Sequence, residues 1–182
     1  MSYPDVNFTS YSDISGLDVY GIQIIPSDPE EWDDSLKISH CISCHFSTGV
    51  VVGGSENALD MNRSCSVVTV DNLELRGGDQ ASIVVKGGCR GILLSDLVLS
   101  PSSKAWTDIL WDDWSKTGRQ ASFGTLKNVR RSDGKPIRVV FGRFRRPKIE
   151  DTPHRILWLS CIGLHLYNLC KDVLVGIGLV KA

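Results

Sequence analysis

A short segment rich in tryptophan and aspartate carries the sharpest chemical signal in this chain. Its three indole rings belong to Trp106, Trp111 and Trp114. Aromatic faces stack on pyranose rings, and carboxylates accept hydrogen bonds from sugar hydroxyls, so the composition is typical of glycan contacts. The carboxylates of the segment are those of Asp108, Asp112 and Asp113. Two carboxylates held close together could also act as acid and base in glycoside cleavage.

A structural interpretation of the same segment stays open. Ile109 and Trp111 are two positions apart, so both could be inward strand residues while the aspartates are solvated or hold turns. The sequence therefore leaves three roles for the segment: core structure, contact with a glycan or receptor, and catalysis.

A dense run of cations follows this segment. The eight cations are Arg130, Arg131, Lys135, Arg138, Arg143, Arg145, Arg146 and Lys148. Such a run could engage an anionic polysaccharide, a nucleic acid or an acidic protein surface, and its candidate ligand contacts are Arg143, Arg145 and Arg146. The competing interpretation is a hairpin with solvated arginines in surface ion pairs. The formal net charge of −1 gives no global attraction to nucleic acid, so that partner is not expected.

One cysteine pattern resembles a cofactor motif. Cys41, Cys44 and His45 fit the C-x-x-C-H spacing of covalent haem attachment. However, Cys41 also recurs as Cys65 and Cys89 at intervals of 24 residues, which favours a ladder of reduced, buried thiols. A single C-x-x-C pair lacks the four ligands of a closed zinc site. We therefore predict neither a metal nor a cofactor.

A sequence repeat supplies the elements that would position these residues. The block from Gly53 to Arg76 returns directly as the block from Gly77 to Ser100. Apolar residues in each block fall on alternate positions, which is the period of strands and not of helices. Each block predicts three short strands and corresponds to one coil of a parallel β-helix.

A smaller signature extends the repeat towards the C-terminus. An Asn or Asp between apolar residues recurs at Asn72, Asp96, Asn128 and Asn168, where a tight left-handed bend between two strands is expected. The growing intervals predict insertions at about residues 101–122 and 130–164. In the second insertion, Asp133-Gly134 is a hairpin turn signal.

The predicted fold is all-β: a single-stranded, right-handed parallel β-helix of about six coils with two loop or hairpin insertions. With 182 residues, 42% of them apolar, a single domain is expected. Its predicted parts are an N-terminal coil or cap (1–28), regular 24-residue coils (29–100), coils with long insertions (101–165) and a closing coil (166–182).

The coil period, the Asn-type bends and the Gly-Gly turns resemble the pectate-lyase-like right-handed β-helix superfamily, in particular the β-helical modules of phage tail and virion proteins. The resemblance implies a non-enzymatic structural or attachment protein, with a polysaccharide lyase or glycoside hydrolase as the alternative. It also implies a glycan or host-surface receptor as ligand, and a neighbouring virion protein or a homo-oligomer, such as a trimer, as partner.

The N-terminal residues show no export signal, and no run reaches the roughly 18 apolar residues of a membrane span. We therefore expect a virion location, or otherwise a cytoplasmic one, without a membrane partner.

Overall fold

The computed structural model describes residues 9–25, 34–111, 122–141 and 147–156. These residues form fifteen strands, and none of them belongs to a helix that could cross a membrane. In chain order the strands are β1 (Thr9–Ser12), β2 (Asp18–Ile24), β3 (Asp34–Ser39), β4 (Ile42–Val52), β5 (Asn57–Asn62), β6 (Ser66–Arg76), β7 (Ala81–Val85), β8 (Ile92–Ser95), β9 (Val98–Ser100), β10 (Ile109–Trp111), β11 (Gly124–Lys127), β12 (Arg130–Arg131), β13 (Ile137–Phe141), β14 (Lys148–Glu150) and β15 (His154–Ile156).

The strands alternate between two parallel sheets, which makes the chain a β-solenoid of about five turns. The seven-stranded sheet has the order β1-β3-β5-β7-β10-β13-β15. The eight-stranded sheet contains β2, β4, β6, β8, β9, β11, β12 and β14. We number the coils by their strands: coil 1 is β1 and β2, coil 2 is β3 and β4, coil 3 is β5 and β6, coil 4 is β7 to β9, and coil 5 is β10 to β12. The predicted all-β solenoid is confirmed.

The core lies between the two sheets and is built from the alternating apolar positions of the repeat. Leu59 stacks on Leu36 below it and Ile83 above it, and all three side chains are fully buried. Val70 and Leu94 stack in the same way in the other sheet. Because equivalent residues in successive coils touch, the 24-residue spacing gives every inward side chain an apolar neighbour.

Left-handed residues bend the eight-stranded sheet in the middle of each coil. Thr48, Asn72, Asp96 and Asn128 occupy equivalent positions, with φ angles between 49° and 58°. Asn and Asp tolerate this conformation better than most other residues because their short polar side chains hydrogen-bond locally. We call these four residues the bend ladder, and they confirm the predicted role of the Asn-type signature at Asn72, Asp96 and Asn128. Asn168 and the predicted closing coil (166–182) lie outside the described residues.

The Asp133-Gly134 turn is a corner of the coil and not the tip of a hairpin. The strand before it, β12, pairs in parallel with β9, and the strand after it, β13, pairs in parallel with β10. A left-handed glycine suits both kinds of turn, and Gly134 has a φ of 71°. The hairpin prediction is therefore corrected here: the chain goes on to build the next coil.

The coil that follows is shorter than the others. Val139 pairs with Ile156 only 17 residues later, whereas Leu59 pairs with Ile83 after 24 residues. This shortened coil has β13 and β14 but no strand over β12, which is the end strand of its sheet among the described residues. One column of strands thus ends at β12 while the other columns continue.

Candidate functional site

Trp106 and Trp111, two of the predicted ligand contacts, differ in burial and in the face of the sheet they occupy. Trp111 is fully buried in the core, and its indole Nε1 donates a hydrogen bond of 3.0 Å to the carbonyl oxygen of Ser122. This is the position that the structural interpretation of the segment expected, and it leaves no indole face open to a sugar. Trp106 is half-buried outside the seven-stranded sheet. There it packs against a small apolar cluster of Ala81, Val84, Leu110 and Val140.

Asp108 is a fully buried member of an ion-pair network. Arg138 donates to it from its backbone nitrogen at 2.7 Å, from Nη2 at 2.7 Å and from Nε at 3.2 Å. Arg131 Nη1 lies 3.2 Å from both carboxylate oxygens. Arg131 also binds Asp133 with two hydrogen bonds of 2.9 and 2.8 Å, which hold the pKa of Asp133 well below its usual range. As placed here, Asp108 holds the coil together and offers no exposed oxygen to a substrate.

Arg131 is a charged residue at an inward position of its coil, where the coils below have leucine. It is aligned with Leu99 and, one coil further down, with Leu75, both fully buried. Because no strand of the described part of the chain lies above β12, the inward position at Arg131 opens towards the corner, where Asp108 and Asp133 compensate its charge.

The remaining candidates lie outside the described residues. They are Asp112, Asp113, Trp114, Arg143, Arg145 and Arg146. Their roles stay predictions.

A groove runs along the outer face of the eight-stranded sheet, where the bend ladder makes that face concave. Its volume is about 620 Å³. Coils 2 to 5 all contribute to its lining, which consists of Gly49, Val50, Asp71, Asn72, Leu73, Glu74, Asp96, Val98, Asn128 and Arg130. Since stacked strands are about 4.8 Å apart, four coils give the groove a length of about 15 Å along the solenoid axis.

Two columns of outward side chains flank the bend ladder. The column before the bend runs from coil 2 to coil 5 through Ser47, Asp71, Ser95 and Lys127. The column after the bend runs through Val50, Glu74, Val98 and Arg130. The second column thus presents two apolar surfaces, Val50 and Val98, each next to a charged side chain in the following coil.

The two acidic side chains that line the groove in coil 3 are already paired. Asp71 lies 2.9 Å from His45 Nε2, and the other ring nitrogen of His45 lies 3.8 Å from Asp18. Glu74 accepts two hydrogen bonds of 2.8 Å from Arg76, which lower the pKa of its carboxyl group. Arg76 therefore compensates the negative charge of Glu74, and Asp71 has the His45 ring as its partner on the same face.

The bend ladder forms the floor of the groove through two side-chain hydrogen bonds. Asn72 Nδ2 donates to Thr48 Oγ1 at 3.2 Å, and Asn128 Nδ2 donates to Asp96 Oδ1 at 2.6 Å. Between these pairs, no hydrogen bond joins the side chains of Asn72 and Asp96, two described residues of adjacent coils. The middle of the floor therefore presents oxygen acceptors towards solvent.

A second polar cluster is buried outside the seven-stranded sheet. Asp60 is fully buried and contacts Lys86 Nζ at 3.2 Å, Lys37 Nζ at 3.9 Å and Asn62 Nδ2 at 2.9 Å. Burial raises the pKa of Asp60 to about 6; Lys86 opposes the rise, and the nearby Asp34 carboxylate adds to it. The cluster makes the stability of the fold sensitive to pH.

The cysteine pattern does not assemble a cofactor site. Cys41 and Cys44 are buried free thiols, whereas His45 lies on the outer face of the same strand. Burial raises the pKa of Cys41 to about 11, which favours the protonated thiol. Among the described residues, no group of three or more His, Cys, Asp or Glu is arranged to hold a metal ion.

Comparison with known proteins gives no match, whether the chain is scanned against protein-family models or searched against curated proteins or solved structures. The groove was not among the sites predicted from the sequence, although the sequence contains a signal for it. The Asn-type signature locates the bends at Asn72, Asp96 and Asn128, and these three residues line the groove in the structure.

Proposed function

We propose that this protein is a non-enzymatic structural or attachment module, a virion component whose solenoid binds an extended glycan in the groove. The observation that carries the proposal is the direction of the groove, which crosses coils 2 to 5 along the solenoid axis. One coil advances about 4.8 Å, which is close to the length of one pyranose unit, so a linear glycan can place about one sugar on each coil.

The lining supports this ligand class. Apolar faces of sugar rings can pack on Val50 and Val98, while hydroxyl groups can donate to the exposed oxygens of Asn72 and Asp96. A mixture of apolar contacts with a few placed polar groups is the usual composition of a ligand site. The likeness of the coils to pectate-lyase-like virion modules agrees with this role, and a homotrimer is the assembly that the likeness favours.

The test is glycan-array binding, followed by titration of the bound glycans, with a variant that fills the groove. Val98→Trp places a large ring on an outward position of the groove, while Leu93→Trp places the same ring on the same coil and sheet outside the groove lining. We expect wild type and Leu93→Trp to bind, and Val98→Trp to bind at least about tenfold more weakly. Equal binding by Val98→Trp would refute the groove as the site, and a failure of wild type to bind any glycan would leave a structural shaft.

The alternative is a polysaccharide lyase or glycoside hydrolase, and one contact favours it. His45 lies beside Asp71 at the edge of the groove, and a histidine oriented by a carboxylate can act as a general base. Mass spectrometry of the glycans recovered from the same titration distinguishes the two functions. Shortened products that disappear in His45→Gln would establish the enzyme, and intact glycans would support the attachment module.

A further inference from the structure

The groove carries unequal charge from one end to the other. In coil 3 both carboxylates have partners, since Asp71 lies 2.9 Å from His45 Nε2 and Glu74 is ion-paired with Arg76. At the coil 5 end, Arg130 is exposed and has no ion-pair or side-chain hydrogen-bond partner among the described residues. A cation without a carboxylate partner thus marks one end of the groove.

The fold holds Arg130 at this position. Its backbone nitrogen donates a 3.0 Å hydrogen bond to the carbonyl of Leu97, and its strand pairs with β9 through Val98. The neighbouring inward residue, Arg131, is tied to Asp108 and Asp133. Asp108 and Asp133 are therefore partners of Arg131, and within the described part of the chain the exposed guanidinium of Arg130 can meet an external anion. Planar guanidinium binds carboxylate and sulfate groups with two parallel hydrogen bonds.

The floor of the groove favours hydrogen-bond donors of a ligand, whereas the Arg130 end favours an anion. Between coils 3 and 4, Asn72 and Asp96 present acceptor oxygens with no donor between them. A hydroxyl-bearing sugar satisfies these acceptors, whereas an anionic group there would meet the charge of Asp96. Donors therefore fit coils 3 and 4, and an anion fits coil 5, about one or two coil spacings of 4.8 Å away.

We infer that the coil 5 end of the groove is an anion subsite with Arg130 as its binding residue, and that the ligand is an acidic glycan held in one direction. This inference rests on the proposed function and deepens it. The carboxylate of an acidic sugar and a sulfate ester share the chemistry that Arg130 recognises, so both are compared in the experiment.

The experiment measures dissociation constants by isothermal titration for three oligosaccharides of equal length: neutral, carboxylated and sulfated. Wild type should bind at least one of the anionic forms about tenfold more tightly than the neutral form at low salt, and the preference should shrink in high salt. In Arg130→Gln the ratio of the dissociation constant of the neutral form to that of the preferred anionic form should fall to about one. Arg130→Lys should restore part of the preference for the anionic form. Arg90→Gln is the matched control, since Arg90 is an exposed arginine of coil 4 outside the groove lining.

The outcomes separate the two ideas. Equal binding of neutral and anionic forms by wild type would overturn the anion subsite and keep the proposed function. A preference that survives in Arg130→Gln, or that Arg90→Gln abolishes equally, would also overturn it, because the anion would then be bound elsewhere. Absence of binding to all three oligosaccharides would remove the proposed function and the subsite together.

Discussion

Replacing Asp60 with asparagine should change how the stability of this fold depends on pH. Asp60 is fully buried beside Lys86 and Lys37, and burial raises its pKa from 3.8 to about 6. The folded protein therefore holds the proton more tightly than the unfolded chain between these two values. The free energy of unfolding should be highest below pH 4 and should fall as the pH rises towards 6 and above. Asparagine has a similar shape and does not titrate.

The magnitude follows from the two pKa values. A tenfold change in proton affinity is worth about 1.4 kcal/mol, so a rise from 3.8 to about 6 corresponds to about 3 kcal/mol. Relative to Asp60→Asn, wild type should lose most of this amount, about 2.4 kcal/mol, between pH 4 and pH 7. The loss has a clear cause, because above its pKa Asp60 is an ionised carboxylate without contact to solvent.

The measurement is urea unfolding of both proteins at several pH values from 4 to 7, with the difference in unfolding free energy plotted against pH. The difference removes the contribution of carboxylates that the two proteins share. Asp13→Asn is the control for the loss of one carboxylate, because Asp13 is exposed and asparagine tolerates its positive φ. Parallel pH profiles of wild type and Asp60→Asn, or a profile that rises with pH, would refute the reasoning.

Three further predictions test the coil geometry. A methyl group at Gly53 would lie 2.4 Å from the backbone of the next coil, so Gly53→Ala should lower the unfolding free energy by about 3 kcal/mol or more. Gly134 has a positive φ but faces open space, so Gly134→Ala should lower it by only about 1 kcal/mol. Comparable melting temperatures of the two variants would contradict this contrast. Val67 is 60% exposed and has a φ of 53°, so Val67→Gly should raise the unfolding free energy by up to about 1 kcal/mol through relief of strain, and a decrease in urea titrations would count against it. Cys41 is buried and its pKa is about 11, so peptide mapping should find Cys41 alkylated by iodoacetamide only after urea is added, and rapid alkylation of Cys41 in the native protein would disprove its burial.

The sequence predicts the solenoid well because its core is periodic. Leu59 and Ile83 are buried for the same reason, since each occupies the same place in its own coil. The bends follow too, because Asn72 and Asp96 belong to residue types that adopt the left-handed conformation. A periodic pattern predicts which residues are neighbours one coil away, and the core positions and the bends are set by those neighbours.

Contacts that are not periodic could not be predicted in this way. Asp108 is held by Arg131 and Arg138, which are 23 and 30 residues distant, and no spacing in the sequence links the three. The Asp133-Gly134 signal reports the local backbone, which is similar at the tip of a hairpin and at a corner between parallel strands. Only the pairing of the flanking strands decides between these, and that pairing depends on the previous coil.

The groove is predictable from the sequence only in part. Its floor is periodic and could be read from the bends, but its walls are outward positions that no core constrains. Glu74, Val98 and Arg130 occupy one column and share no chemical type. Their meaning emerges only when the coils are stacked, because the strand register then sets an acid, an apolar side chain and a base side by side.

The equal register of coils 3 and 4 makes this protein extensible. Residues 53–76 and 77–100 carry strands that pair in the same frame, so an additional copy of either block would find matching inward residues on both sides. Each added block would lengthen the solenoid, and the groove with it, by about 4.8 Å without a change in core packing. Gene duplication or engineering could therefore adjust the length of the groove by changing the number of coils alone.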